Sequence, residues 1–194
     1  MIKKYFMIIT IFCMVMLISI PMVQAATIEP NTYEREMAIA CALSYMPLTE
    51  NKTIGLQLKL GPLKDFINNI NAIINVHDFA SIEELDDWIV ADFHNKEITE
   101  KSLAAFVLQK DNDLMIIFRG TDLEGFGDFL YGVKNYHGQE EYANKYVLEI
   151  MDRYSKKEGK FNIYVAGHSL GGYLAQTSGA TIQQNIDKYN NLSL

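Results

Sequence analysis

The chain is poor in cysteine. Its two cysteines stand apart, Cys13 in an N-terminal apolar run and Cys41 in an apolar helical pattern. With Cys13 in a segment that reads as removable, no intrachain disulfide and no cysteine metal site can be assembled. Cys41 therefore reads as a small buried hydrophobe rather than a nucleophile. A run of basic residues is absent as well. Histidine is scarce: there are four, His77, His94, His137 and His168, and none follows position 168. Asp87, Asp92 and His94 lie near one another in sequence, but their spacing matches no metal-ligand pattern. No internal repeat and no low-complexity stretch is present. At 194 residues the chain fits one domain better than two.

What is present begins with a leader. Lys3 and Lys4 precede an almost wholly apolar run from Tyr5 to Ile20, Pro21 breaks it, and Val23-Gln24-Ala25 offers small residues for a peptidase. This is the pattern of a secretory signal peptide, residues 1–25, cleaved after Ala25. The run is short for a retained membrane span. Taking Lys3 and Lys4 from the 17 basic residues leaves 15 against 24 acidic ones. Such an acidic chain argues against nucleic acid and against an electrostatic grip on anionic membranes. A secreted domain over residues 26–194 is expected.

Residues 26–100 read as a helical N-terminal part. Asn31 and Glu34 form a capping pair ahead of Met37, Cys41 and Tyr45 at helical spacing, and Pro47 ends that helix. Pro62 suits a second helix start before a stripe of Leu63, Phe66, Ile67, Ile70, Ile73 and Ile74. Ser81 and Glu84 form a capping box for a short helix burying Ile82, Leu85 and Ile89, with Trp88 packed beside them.

Residues 101–194 have a different pattern. Leu103 to Gln109 and Leu114 to Phe118 are apolar runs around Lys110-Asp111-Asn112-Asp113, the signature of a β-hairpin. Arg119-Gly120-Thr121-Asp122 opens a glycine-rich stretch up to Gly138. Tyr142, Tyr146, Val147, Ile150, Met151 and Tyr154 then mark an amphipathic helix, followed by an apolar strand, Phe161 to Val165. A helix from Leu170 to about Ile186 comes last. This order implies a parallel strand pair joined by a crossover helix, hence an α/β sheet.

The strongest signal joins that strand to that helix. Gly167-His168-Ser169-Leu170-Gly171-Gly172 places a serine on a tight strand-to-helix turn, where the backbone is strained and Oγ projects above the sheet. Side chains at Gly167 and Gly171 would collide where the helix folds back on the strand. The Leu170 N–H is placed to donate to an oxyanion, helped by the helix dipole.

On these residues the chain resembles the class-three, fungal-type lipases of the α/β-hydrolase superfamily. Val165-Ala166-Gly167-His168-Ser169-Leu170-Gly171-Gly172 is similar to their nucleophile motif, and Ile116-Ile117-Phe118-Arg119-Gly120-Thr121 to the strand and turn carrying their second oxyanion donor. Asp128-Phe129-Leu130 resembles the acidic-aromatic segment that follows. Tyr136-His137-Gly138 is similar to a His-x-Gly-Phe stretch, although Gln139 and Glu140 stand where Gly-Phe belongs. The resemblance spans about Leu103 to Ala180 and implies a partial α/β-hydrolase fold. It implies Ser169 as nucleophile and the N–H groups of Thr121 and Leu170 as the oxyanion hole. Gly167, His168, Gly171 and Gly172 would support the elbow. It places a lid over Asp122 to Gly138, where Phe126, Phe129, Leu130 and Tyr131 would meet an acyl chain or cover the core.

Such hydrolases carry, in chain order, Ser, then Asp or Glu, then His. Here Asp187 follows Ser169 but no histidine does. His168 is adjacent to the serine, so its side chain points away and reads as a support for the turn. The expectation is a C-terminally truncated, secreted, lipase-like serine ester hydrolase, inactive or nearly so as this chain alone. Open beside it are a catalytically inactive lipid- or protein-binding domain and a split enzyme whose Asp and His come from a second chain. The expected partner is a lipid or ester, with a membrane only as a substrate interface. No metal and no cofactor is expected, since the chemistry needs none.

Overall fold

Two apolar runs and a polar turn make the first strand pair. In a computed structural model of the chain, which describes residues 31–60, 82–95, 103–120 and 136–194, β2 (Ala104–Lys110) and β3 (Asp113–Phe118) form the expected antiparallel hairpin. Its two-residue turn puts Asp111 at φ 50°, a left-handed conformation that aspartate tolerates. The runs are continuously apolar because both faces of the sheet are covered. Ala105, Val107, Leu114, Ile116 and Phe118 face one side, while Phe106, Leu108, Met115 and Ile117 face the other.

The crossover follows as the pattern requires. Helix α3 (Tyr136–Ser155) leads to β4 (Phe161–Gly167), which pairs parallel with β3 from Asp113↔Asn162 to Phe118↔Gly167. Helix α3 buries Tyr146, Val147, Ile150, Met151 and Tyr154 on the first face of the sheet, but Tyr142 is exposed. Helix α4 (Leu170–Asn185) lies on that face too, through Leu174, Ala175 and Ile182. A short 3-10 turn, Ile186–Lys188, then leads to β5 (Leu192–Ser193). With β1 (Ile89–Asn95) at one edge, the five-stranded sheet has the order β1-β2-β3-β4-β5.

The opposite face is covered by the N-terminal part. Helix α1 (Thr32–Leu43) starts at an Asn31–Glu34 capping box, as read from the sequence. Such a cap stabilises a helix by about 1 kcal/mol. Ile39, Ala40 and Leu43 of α1 and Ile54 and Leu58 of helix α2 (Ile54–Leu60) pack with Trp88 against Phe106, Leu108, Met115 and Ile117. Trp88 is fully buried and donates its Nε1–H to Glu36. Cys41 packs at the edge of this cluster, and burial raises its thiol pKa to about 11.

Two expectations for residues 26–100 need correction. Ile82–Leu85 is one 3-10 turn rather than a helix reaching Ile89. Ile89–Asn95 is a strand, β1, antiparallel to β2, with a bulge between Val90 and Asp92. Ile89 is exposed on it. The run Ile82, Leu85, Ile89 fits a helical period, but the β-branched and aromatic residues Ile89, Val90 and Phe93 go where the open edge of β2 offers backbone partners. The part before residue 100 is thus mixed rather than helical. The glycine-rich loop is also shorter than expected, because α3 starts at Tyr136 and takes His137 and Gly138 into its first turn. The leader, the Leu63–Ile74 stripe, Ser81, Thr121 and Asp122–Asn135 lie outside the described residues.

Candidate active site

The strand-turn-helix expectation holds in detail. Strand β4 ends at Gly167, and α4 begins at Leu170. Ser169 between them has φ 56° and ψ −122°, a conformation that L-residues with a Cβ avoid. Two backbone hydrogen bonds close the turn, Gly171 N–H to His168 O and Gly172 N–H to Ser169 O, each 2.9 Å. Ser169 is exposed at the apex. Its side chain makes no capping bond to the helix, so Oγ is not consumed by the fold.

The glycines are required by contact. A Cβ on Gly167 would stand 2.2 Å from Gly171 O, and one on Gly171 would stand 2.2 Å from Phe118 O. The helix therefore presses directly onto the ends of β4 and β3. Gly172 is less constrained, its added Cβ meeting Gly167 O at 3.2 Å. As the first helical residue, Leu170 has an N–H that the α-helical ladder does not use. That leaves it beside Ser169 at the positive end of the helix dipole.

The second oxyanion donor was expected from Thr121. Thr121 lies outside the described residues, but Gly120 before it does not. A Cβ on Gly120 would stand 2.5 Å from His168 O and 3.2 Å from Ser169 Cβ. The end of β3 thus abuts the serine turn, and the chain proceeds to Thr121 from there.

His168 is not buried. It is exposed, and its Nδ1 is hydrogen-bonded to the Tyr45 hydroxyl at 3.1 Å, with the rings edge-on. It supports the turn from outside. Tyr45 itself was expected at helical spacing with Met37 and Cys41. Helix α1 stops at Leu43 instead, capped by Ser44, and Tyr45 lies in the turn beyond it. Pro47 was the available signal, since it bars helix through the residue before it. In the first turn of α4, Tyr173 donates its hydroxyl to Glu140 in α3, and that carboxylate raises the phenol pKa.

No described histidine stands ready as a base for Ser169. His94, on β1, packs its ring on Tyr146, 5.3 Å between centroids. Asp92, considered above as a metal ligand, accepts from Tyr146 and Arg153 instead. No group of three or more metal-ligating side chains occurs among the described residues. Two clefts of about 410 and 600 Å³ are lined by other residues, around Asp187 and Tyr189 and around Gln109 and Lys157, and neither includes Ser169.

A family model described as Mbeg1-like matches residues 77–191, which takes in β1 through the Ile186–Lys188 turn and includes the whole serine elbow. The chain belongs to the Mbeg1-like family. Neither a curated protein nor a solved structure matches it.

Proposed function

We propose that this member of the Mbeg1-like family is a secreted, lipase-like serine ester hydrolase acting on an acyl lipid or related ester. Ser169 is its nucleophile, and the Leu170 and Thr121 N–H groups bind the oxyanion. The observation that carries this reading is the backbone of Ser169. A non-glycine residue at φ 56°, ψ −122° costs on the order of 1–3 kcal/mol. The fold imposes that cost by packing three glycines around it, and the arrangement has a use if Oγ must face an incoming carbonyl. The family is itself lipase-like, which supports the same direction.

In such a reaction Ser169 Oγ attacks the ester carbonyl, its proton passing to a base. The carbonyl oxygen becomes an oxyanion held by the two N–H groups, each such donor contributing about 3 kcal/mol. The alcohol then leaves, and water hydrolyses the acyl-serine. The base is not among residues 170–194, which contain no histidine. The acid and histidine come on this reading from outside residues 170–194, as from a second chain. One observation favours that. Strand β5 pairs only with Phe161 and Asn162, so among the described residues one side of Ile163–Gly167 has no strand partner. A further strand pairing there would end beside Ser169. The leader assigns the protein to the outside of the cell; no described helix is long and apolar enough to cross a membrane.

The test is p-nitrophenyl butyrate hydrolysis by the purified chain and by Ser169→Ala. Loss of the base leaves only the residual catalysis of oxyanion hole and binding, some 10³–10⁴-fold over water. Slow p-nitrophenol release that Ser169→Ala changes little is the outcome expected of a site without its base. Robust turnover lost in Ser169→Ala would place the base inside the chain. Robust release unaffected by Ser169→Ala would overturn the nucleophile.

A further inference from the structure

The two oxyanion donors belong to separate pieces of backbone. Thr121 follows Gly120 at the end of β3, and Leu170 follows Ser169 in the turn after β4. Strand pairing ends at Phe118↔Gly167, so beyond that pair no ladder sets the gap between the two pieces. One side chain stands at this point, and it comes from outside the family-matched segment 77–191. The Tyr45 hydroxyl is hydrogen-bonded to His168 Nδ1 at 3.1 Å. It also lies 2.8 Å from where a Cβ on Gly120 would stand, the same point that is 2.5 Å from His168 O and 3.2 Å from Ser169 Cβ. A single phenol oxygen thus touches the end of β3 and the residue before the nucleophile. Gly120 has room for it only because it lacks a Cβ.

Tyr45 is held firmly enough for such a task. It follows Leu43, which is fully buried, and Ser44, whose hydroxyl donates to Cys41 O at 2.7 Å and closes the end of α1. Tyr45 is itself half-buried. The phenol is rigid, with two side-chain torsions, and its hydroxyl is fixed by the imidazole.

We propose that Tyr45 is a positioning residue that holds the backbone at Gly120, just past β3, against the serine turn, with His168 holding its hydroxyl in place. This rests on the reading of Ser169, Thr121 and Leu170 given above. It gives His168 a role other than proton transfer, and it makes the turn that follows α1 part of the reaction centre.

The probe is phenylboronic acid with the full chain, followed by boron-11 NMR. Ser169 Oγ adds to the neutral trigonal boron, the Oγ proton goes to solvent, and a tetrahedral boronate anion results. It occupies the place of the tetrahedral intermediate, and its formation at equilibrium needs no resident base. Tyr45→Phe keeps the ring and loses the hydroxyl. His168→Ala leaves the hydroxyl without its imidazole partner. Each is expected to weaken the tetrahedral adduct about tenfold, less than outright loss of an oxyanion donor. Melting temperatures should stay near that of the wild type. The double variant should be no weaker than either single one, because both act on one contact. Wild-type affinity in either single variant, or losses that multiply in the double one, would overturn the proposal. If Tyr45→Phe fails to fold, His168→Ala alone decides. If the unaltered chain forms no adduct that Ser169→Ala removes, the nucleophile reading itself fails, a result distinct from an adduct indifferent to Tyr45.

Discussion

Gly171→Ala is the most direct probe of the packing that creates the elbow. The added methyl would stand 2.2 Å from Phe118 O, 2.8 Å from Phe118 C and 3.0 Å from Arg119 C. Carbon contacts are comfortable near 3.5–4.0 Å, so the helix would have to withdraw from the end of β3 by roughly 1 Å. All three opposing atoms are backbone within or just after a paired strand, so no side chain can swing aside. Overpacking typically costs about 1–3 kcal/mol when side chains share the strain. Here the expected cost is about 3 kcal/mol or more, a large share of the 5–15 kcal/mol that holds a domain folded. Gly179, on the same helix, is the control. A Cβ there meets nothing within 4 Å, so Gly179→Ala should stabilise by about 0.5–1 kcal/mol through helix propensity alone. Urea titration followed by far-ultraviolet circular dichroism measures both. A Gly171→Ala midpoint within about 0.5 kcal/mol of wild type would refute the claim that α4 lies in backbone contact with β3.

Further outcomes follow from the same geometry. Ser169→Gly should raise stability by about 1 kcal/mol by releasing the positive-φ strain, net of glycine's entropy, while removing the nucleophile; a destabilised variant would count against a strained elbow. Cys41, its thiol pKa raised by burial from 9.0 to about 11, should react with iodoacetamide at pH 8 about tenfold more slowly in the folded chain than in urea, the drop in thiolate being partly offset by higher intrinsic nucleophilicity; equal rates would contradict its burial. Burial, and then the neighbouring Asp92 carboxylate, raise the Tyr146 pKa well above its usual 10.0, so the folded state keeps a proton that the unfolded chain gives up. The stability this adds is complete below pH 10 and declines as pH rises above it, by up to about 1.4 kcal/mol per pH unit. Tyr146→Phe should lower stability near neutrality but fall less steeply from pH 10 to 11.5, and parallel slopes would argue against that assignment.

The backbone of the serine elbow was legible in the chain itself. The Gly-x-Ser-x-Gly spacing works as a local instruction, because strand, turn and helix follow one another without distant help. The β2–β3 hairpin and the parallel β3–β4 pair were readable for a similar reason, with short apolar runs, a polar turn and one amphipathic crossover. Strand β1 was not readable. Ile82, Leu85 and Ile89 share a helical period, and only the free edge of β2, far along the chain, draws Ile89–Asn95 into the sheet. Tyr45 escaped for the same reason. Its place near Ser169 depends on α1 packing across the sheet, a contact 123 residues distant in sequence. His168 was read as a support for the turn, and its partner could not be read from the motif.

The account stands or falls on whether Ser169 is a nucleophile facing an oxyanion site. Treatment of the full chain with an alkyl fluorophosphonate, followed by peptide mapping, tests this without requiring turnover. The account predicts one phosphonyl group per chain, on Ser169, formed slowly but well ahead of labelling at Ser44, Ser155, Ser178 or Ser193. Labelling spread over exposed serines, or a chain left unlabelled at Ser169, would contradict it.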